Sequence, residues 1–168
     1  MNKWIELLKK NDFIGVKKYI KDGADLNDAS SENGESVLAF ALRSMCDMEL
    51  IMLLIESGAD IYDFDEEGVS IFEMAVTYDN IEMVKYLIED GKDVNQTNRR
   101  SRFTPLMAAA CYGRLDIAKL LIENGADKDA VDTKGISVTD FARKMNKKSI
   151  LKLLEYDASL PKNTTYAR

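Results

Sequence analysis

The chain has 168 residues, 46% hydrophobic and 31% charged, the balance of a folded domain or a short solenoid and not of a disordered chain. Its formal charge of −6 argues against a nucleic-acid partner. It contains no histidine, which removes Ser-His-Asp and Cys-His catalysis, imidazole bases near neutral pH and most transition-metal sites.

The opening residues Met1-Asn2-Lys3-Trp4-Ile5-Glu6 lack the apolar run of a signal peptide, and no stretch approaches the roughly 20 apolar residues of a membrane span. A cytoplasmic protein without a membrane partner is expected, although a specialised secretion route would leave no readable signal. A first apolar-periodic segment, Trp4-Ile5-Glu6-Leu7-Leu8-Lys9-Lys10, leads to Gly23-Ala24-Asp25-Leu26-Asn27.

From there one phrase recurs. The hydroxyls Ser36, Ser70, Thr104 and Ser137 stand 34, 34 and 33 residues apart, each before an apolar run. A Ser or Thr in that place is a helix N-cap, its oxygen accepting from an orphan N–H of the first turn. Short helices are predicted over Val37–Arg43, Ile71–Thr77, Pro105–Cys111 and Val138–Lys144, with a capping box joining Ser70 to Glu73. Pro105 suits the first helical position, where its missing N–H costs nothing.

A tight turn, Asp79-Asn80 in one copy and Gly113 in another, precedes a second helix. Leu50, Ile51, Leu53 and Leu54, then Ile81, Val84, Leu87 and Ile88, recur at three- and four-residue spacing and form one buried stripe per helix. The best copy runs from Thr104-Pro105-Leu106-Met107-Ala108-Ala109 through Ile117-Ala118-Lys119-Leu120-Leu121-Ile122 to Asn124-Gly125-Ala126-Asp127. Gly23, Gly58, Gly91 and Gly125 are placed to end the second helices with positive φ. A unit this short cannot bury its own apolar face, so copies must stack.

Hydroxyl, Pro-Leu, Ala, helix, Gly-Ala-Asp and hairpin in that order resemble the ankyrin repeat over about residues 3 to 157. The resemblance implies an all-α solenoid of about five helix-turn-helix units with hairpin-like loops, over 3–34, 35–67, 68–102, 103–134 and 135–157, forming a single domain over 1–157. The terminal units act as caps, and a tail follows over 158–168. In that family a histidine after Thr-Pro-Leu links neighbouring units; here Ala39, Glu73, Met107 and Asp140 hold its places, so that network is reduced and modest stability is expected.

The resemblance also implies a non-catalytic module that binds a folded protein through a concave face built from hairpin tips and first helices. Carried over by register, the contact positions are Tyr62, Phe64, Glu66 and Glu67, then Arg100 and Phe103, with Thr77, Tyr78 and Tyr112 at the ends of first helices. Aromatic side chains there offer large contact area with little entropy to lose. The bland alternative is that they pack on their own hairpins.

Two one-residue additions, in Arg43-Ser44-Met45-Cys46-Asp47 and in Asn98-Arg99-Arg100-Ser101-Arg102-Phe103, are expected on the partner-binding surface. Residues 35–98 carry three basic and 15 acidic residues, a net −12 that would steer a basic partner, whereas residues 99–168 carry +6. The Arg99-Arg100-Arg102 cluster suits a bidentate grip on an acidic loop or phosphate. No cofactor or metal is implied.

The lone cysteines Cys46 and Cys111 read as small buried apolar residues. A monomer acting as adaptor, inhibitor or effector is the leading expectation; self-association through the stack is the alternative. Hydrolysis by surface carboxylates such as Asp63 and Asp65 or Glu66 and Glu67 comes last, because exposed acids keep ordinary pKa values.

Overall fold

The computed structural model describes residues 2–26 and 35–155, so the end of the first unit (27–34), residues 156–157 and the tail (158–168) lie outside the described residues. Five helix pairs follow one another: α1 (Lys3–Lys9) with α2 (Phe13–Lys21), α3 (Val37–Arg43) with α4 (Met48–Glu56), α5 (Ile71–Thr77) with α6 (Ile81–Glu89), α7 (Pro105–Tyr112) with α8 (Leu115–Glu123), and α9 (Val138–Lys144) with α10 (Lys148–Leu153).

Each repeated hydroxyl caps its helix as the pattern predicts. The backbone N–H groups of Ala39, Glu73, Met107 and Asp140 donate to Ser36, Ser70, Thr104 and Ser137 at 3.2, 3.2, 3.3 and 3.1 Å. Three of the four first helices have the predicted bounds; α7 runs one residue further, to Tyr112, and is closed by Gly113 in the left-handed conformation.

The second helices end as the glycines predict. Gly58, Gly91 and Gly125 have φ of 106°, 95° and 89°, and the next N–H reaches back to Leu54, Leu87 and Leu121 carbonyls at 3.0, 2.9 and 2.9 Å.

The first helices of successive pairs pack side by side, α1 to α3, α5, α7 and α9, and form one layer. In the second layer α2 lies on α4, α6 on α8 and α8 on α10. α7, in the fourth pair, is the most buried helix: Pro105 through Ala110 are all buried, and the three consecutive alanines let α5 and α9 approach from either side. The terminal pairs bury less, Val16 alone in α2 and Ile150 alone in α10, because among the described residues each has a neighbouring pair on one side only.

The turns within the pairs share one device. Asn11, Met45, Asp79, Gly113 and Asn146 all hold positive φ between about 50° and 71°. Asparagine, aspartate and glycine tolerate that conformation; methionine does not do so readily.

The extra residue in the second unit turns inward. Cys46 is 4% exposed, its thiol donates to the Leu8 carbonyl at 3.2 Å, and Asp47 takes over as the residue before α4. Within the connection only Cys46 departs from the expected surface position, its side chain sealing the seam between the first two units, while Arg43, Met45 and Asp47 are exposed. Burial pushes the Cys46 thiol up to about 11, so it is protonated at neutral pH and inert as a nucleophile. Cys111 is half-buried, and both cysteines are free.

The hairpins before α5 and α9 are alike. Asp65 accepts from the N–H groups of Glu67 and Val69, both at 2.9 Å, and Asp132 from those of Lys134 and Ile136 at 2.8 and 2.9 Å. Single bridges pair Phe64 with Ser70 and Val131 with Ser137. In the hairpin before α7 the aspartate's place belongs to Arg99, which has no acceptor to offer those N–H groups. Arg102 N–H bonds to the Arg99 carbonyl at 3.0 Å instead, and the Ser101 carbonyl accepts from Thr133 of the next hairpin at 2.8 Å.

Arg102 also stands where Gly68 and Gly135 supply positive φ, and it adopts φ 57°. Arg102→Gly should stabilise the stack by about 0.5–1 kcal/mol, the left-handed strain relieved less the glycine's added unfolded-state entropy. A rise in the urea midpoint at unchanged slope is the expected readout.

Candidate partner-binding face

Residues proposed from register to form one contact surface separate into three places. At the hairpin tips, Phe64 is 53% exposed, and Glu66, Glu67 and Arg100 are exposed around it. Behind Phe64 lies a recess of about 50 Å³ between the hairpin and the first helices, floored by Ala39, Ile71 and Met74 and bordered by Asp63 and Asp65.

At the other end of the first helices stand Thr77, Tyr78 and Tyr112. Tyr78 follows α5 and is half-buried, whereas Tyr112 ends α7 and is 50% exposed. Thr77 offers its carbonyl to the Arg114 guanidinium at 2.8 and 3.0 Å, which ties the end of α5 to the start of α8. One seven-residue helix, about 10 Å long, separates these positions from the hairpins.

Tyr62 is in neither group. Its hydroxyl pairs with the carboxylate of Asp90, just past α6, and the Lys92 ammonium lies 5.7 Å from its ring. The hydrogen bond to Asp90 raises the Tyr62 pKa. The side chain thus braces its own turn against the end of the next second helix.

Phe103 is also committed to packing. It meets Phe141 edge-on at 5.1 Å, with the Arg99 guanidinium 5.1 Å from its ring centre. Both aromatics reach into the following unit, Tyr62 by its hydroxyl while half of its surface stays exposed and Phe103 by its ring.

Arg99 leaves the expected anion-gripping cluster for a different partner. Its Nε stands 2.9 Å from Oε1 of Glu73, a carboxylate only 2% exposed as a residue. The two are close enough for an ion pair, yet the Nε–H is not aimed well enough to count as a hydrogen bond. Charge proximity is therefore the part of this contact that matters.

The capping box expected at Ser70 and Glu73 is only half formed: Ser70 accepts from the Glu73 N–H, but the Glu73 side chain reaches Arg99 of the following hairpin. Burial holds the Glu73 carboxyl up at about 7, with the Arg99 charge lowering it and the Asp65 charge raising it. Met107 and Asp140, at the equivalent places, turn back on their own caps at Thr104 and Ser137.

Register alone did not single out Val131, which is 46% exposed at the hairpin position equivalent to Phe64. Its signal was present in the six-residue offset from Ser137 that matches the offset of Phe64 from Ser70. Met145, 48% exposed, continues the row begun by Tyr78 and Tyr112. Among the described residues no cluster of His, Cys, Asp or Glu is arranged to hold a metal ion, and no helix is long and apolar enough to cross a membrane.

A family model described as ankyrin repeats in three copies matches residues 6–98, and one described as a single ankyrin repeat matches residues 101–133. Among similar proteins, the E3 ubiquitin-protein ligase hecd-1 of Caenorhabditis elegans is 36% identical over 98 residues, 58% of this chain and 4% of that protein. The E3 ubiquitin-protein ligase Ufd4 of Drosophila melanogaster is 37% identical over 118 residues, 70% of this chain and 4% of the relative. Palmitoyltransferase ZDHHC17 of Rattus norvegicus is 33% identical over 84 residues, 50% of this chain and 14% of the relative.

The chain thus spans 4% to 14% of the length of these relatives, and the likeness extends to repeats and not to their chemistry. Repeats of this kind generally mediate protein–protein interaction and form a non-catalytic fold. With the three-copy model covering more than half of its residues and the stacked helix pairs continuing the pattern, the chain belongs to the ankyrin-repeat family.

Proposed function

We propose that the chain is a monomeric, non-catalytic interaction module that binds a folded protein through the concave face of its middle units, as an adaptor, inhibitor or effector. The observation that carries this reading is the exposure of large apolar side chains at equivalent places in different units. Phe64 and Val131 stand out from the hairpins, and Tyr112 and Met145 from the ends of first helices, each about half exposed. None of them is needed to close the core, and half-exposed aromatics beside polar groups are the composition of binding hot spots.

Phe64, Glu66, Glu67 and Arg100 meet the partner at the tips, and Thr77, Tyr78 and Tyr112 meet it along the inner helices. Tyr62 and Phe103 support the face from behind. The −12 charge of residues 35–98 favours a partner with a basic surface and speeds its approach.

Tyr78→Ala combined with Tyr112→Ala, in protein shown to be folded by circular dichroism, should weaken binding of the partner captured from the native cell at least about tenfold. Unchanged affinity would remove the inner-helix row from the face.

A further inference from the structure

The turns within the helix pairs lie at the end of the first helices remote from the hairpins. There a groove of about 270 Å³ opens between the second and third units. Its lip is Met45, a methionine held at φ 56° where the sister turns use asparagine, aspartate or glycine, with 71% of its surface exposed. Both the backbone strain and the exposed apolar surface are unfavourable in the free protein.

The groove's setting is particular to this place in the stack. The connection from α3 to α4 has four residues, against three from α5 to α6, because Cys46 is folded inward and Asp47 is displaced to precede α4. Met48, Tyr78 and Ile81 form the apolar part of the lining; Asp47, Asp79 and Glu82 carry its charge. Among the described residues no lysine or arginine lines the groove. Asp79 has Arg114 at 3.8 Å, a guanidinium engaged at 2.8 Å with the Thr77 carbonyl, and Asp47 accepts from the Asn11 amide. An apolar slot with an acidic margin selects against acidic or purely polar ligands.

We propose that this groove docks an exposed segment of a partner protein that presents an arginine or lysine beside an apolar side chain. The apolar group lies against Met45 and Met48, whose unbranched side chains adapt to its shape. The cation sits between Asp79 and Glu82. The proposal rests on the reading of the chain as a protein binder, and it assigns a second surface beyond the hairpin tips, sharing only Tyr78 with the face described above.

The test uses a synthetic probe, so that its result is independent of the hairpin face. Protein labelled at its methionine methyl groups is titrated at low ionic strength with acetyl-Leu-Arg-Leu-Arg-Leu-amide and with the same peptide carrying glutamate for arginine. The Met45 and Met48 signals should shift saturably with the arginine peptide and not with the glutamate peptide. Asp79→Asn together with Glu82→Gln should raise the dissociation constant at least about tenfold; asparagine tolerates the positive φ at position 79, so the variant keeps its fold.

The proposal is overturned by an absence of shifts, by equal response to both peptides, or by binding indifferent to the substitutions. Shifts confined to Met74 and Met145 would also overturn it, while leaving the concave-face reading intact.

Discussion

Gly68→Ala should cost the protein about 3 kcal/mol, the sum of left-handed strain on a residue with a side chain and a backbone collision. Gly68 has φ 80°, and a Cβ built on it would lie 2.3 Å from the Asn98 carbonyl oxygen and 2.8 Å from the Arg99 nitrogen. Both atoms belong to the backbone of the next hairpin, so neither can swing aside as a side chain would. These two hairpins are therefore stacked in direct backbone contact at this glycine, unlike the equivalent Gly135, which has nothing within 4 Å.

For a chain of this length the loss corresponds to a fall in melting temperature of about 9 °C. Gly125→Ala is the control: its φ is 89° but nothing lies within 4 Å of the added carbon, so only the strain of about 1–2 kcal/mol remains. Equal losses for the two variants would show that the hairpins are not in contact at residue 68.

The second large effect is a dependence of stability on pH at Glu73. Its carboxyl is raised from 4.5 to about 7 in the folded protein, chiefly by burial. A group whose folded value lies above its unfolded value binds its proton more tightly when folded. Its contribution is fully present below about pH 4.5 and is lost as pH rises through about 7, at most roughly 3 kcal/mol over that window.

Glu73→Gln mimics the protonated acid. It should match the wild type below pH 5 and exceed it by about 1–3 kcal/mol at pH 8. Urea unfolding at several pH values measures the difference between the two proteins, which cancels the titration of other groups. A difference that stays constant from pH 5 to 8 would mean that Arg99 keeps Glu73 ionised throughout.

These two sites show where the sequence was legible and where it was not. The repeat phase places every capping hydroxyl, and the bounds of the α3, α5 and α9 helices follow from it, because caps and apolar spacing are local properties of a few residues. Glu73 looks like half of a capping box for the same reason: the pattern is visible within four residues of Ser70. Its actual partner, Arg99, is 26 positions further along and becomes a neighbour only when the next hairpin stacks.

The contact residues divide for the same cause. Phe103 is held by Phe141 and the Tyr62 hydroxyl by Asp90, both in a following unit, although the Tyr62 ring stays as exposed as Tyr112; Phe64 and Tyr112 have no such contact among the described residues. Cys46 could be identified as an inserted residue from spacing alone, but its inward turn depends on the Leu8 carbonyl of the preceding unit. Local chemistry was readable; the meeting of one repeat with the next was not.

Hydrogen exchange with and without the captured partner tests the central claim most directly. Binding through the concave face predicts slowed exchange across 63–69 and 98–103 and at the ends of α5 and α7, with α8 and the parts of α4 and α6 beyond their first turns unchanged. Protection confined to those second helices, with the hairpins exchanging as in the free protein, would contradict it.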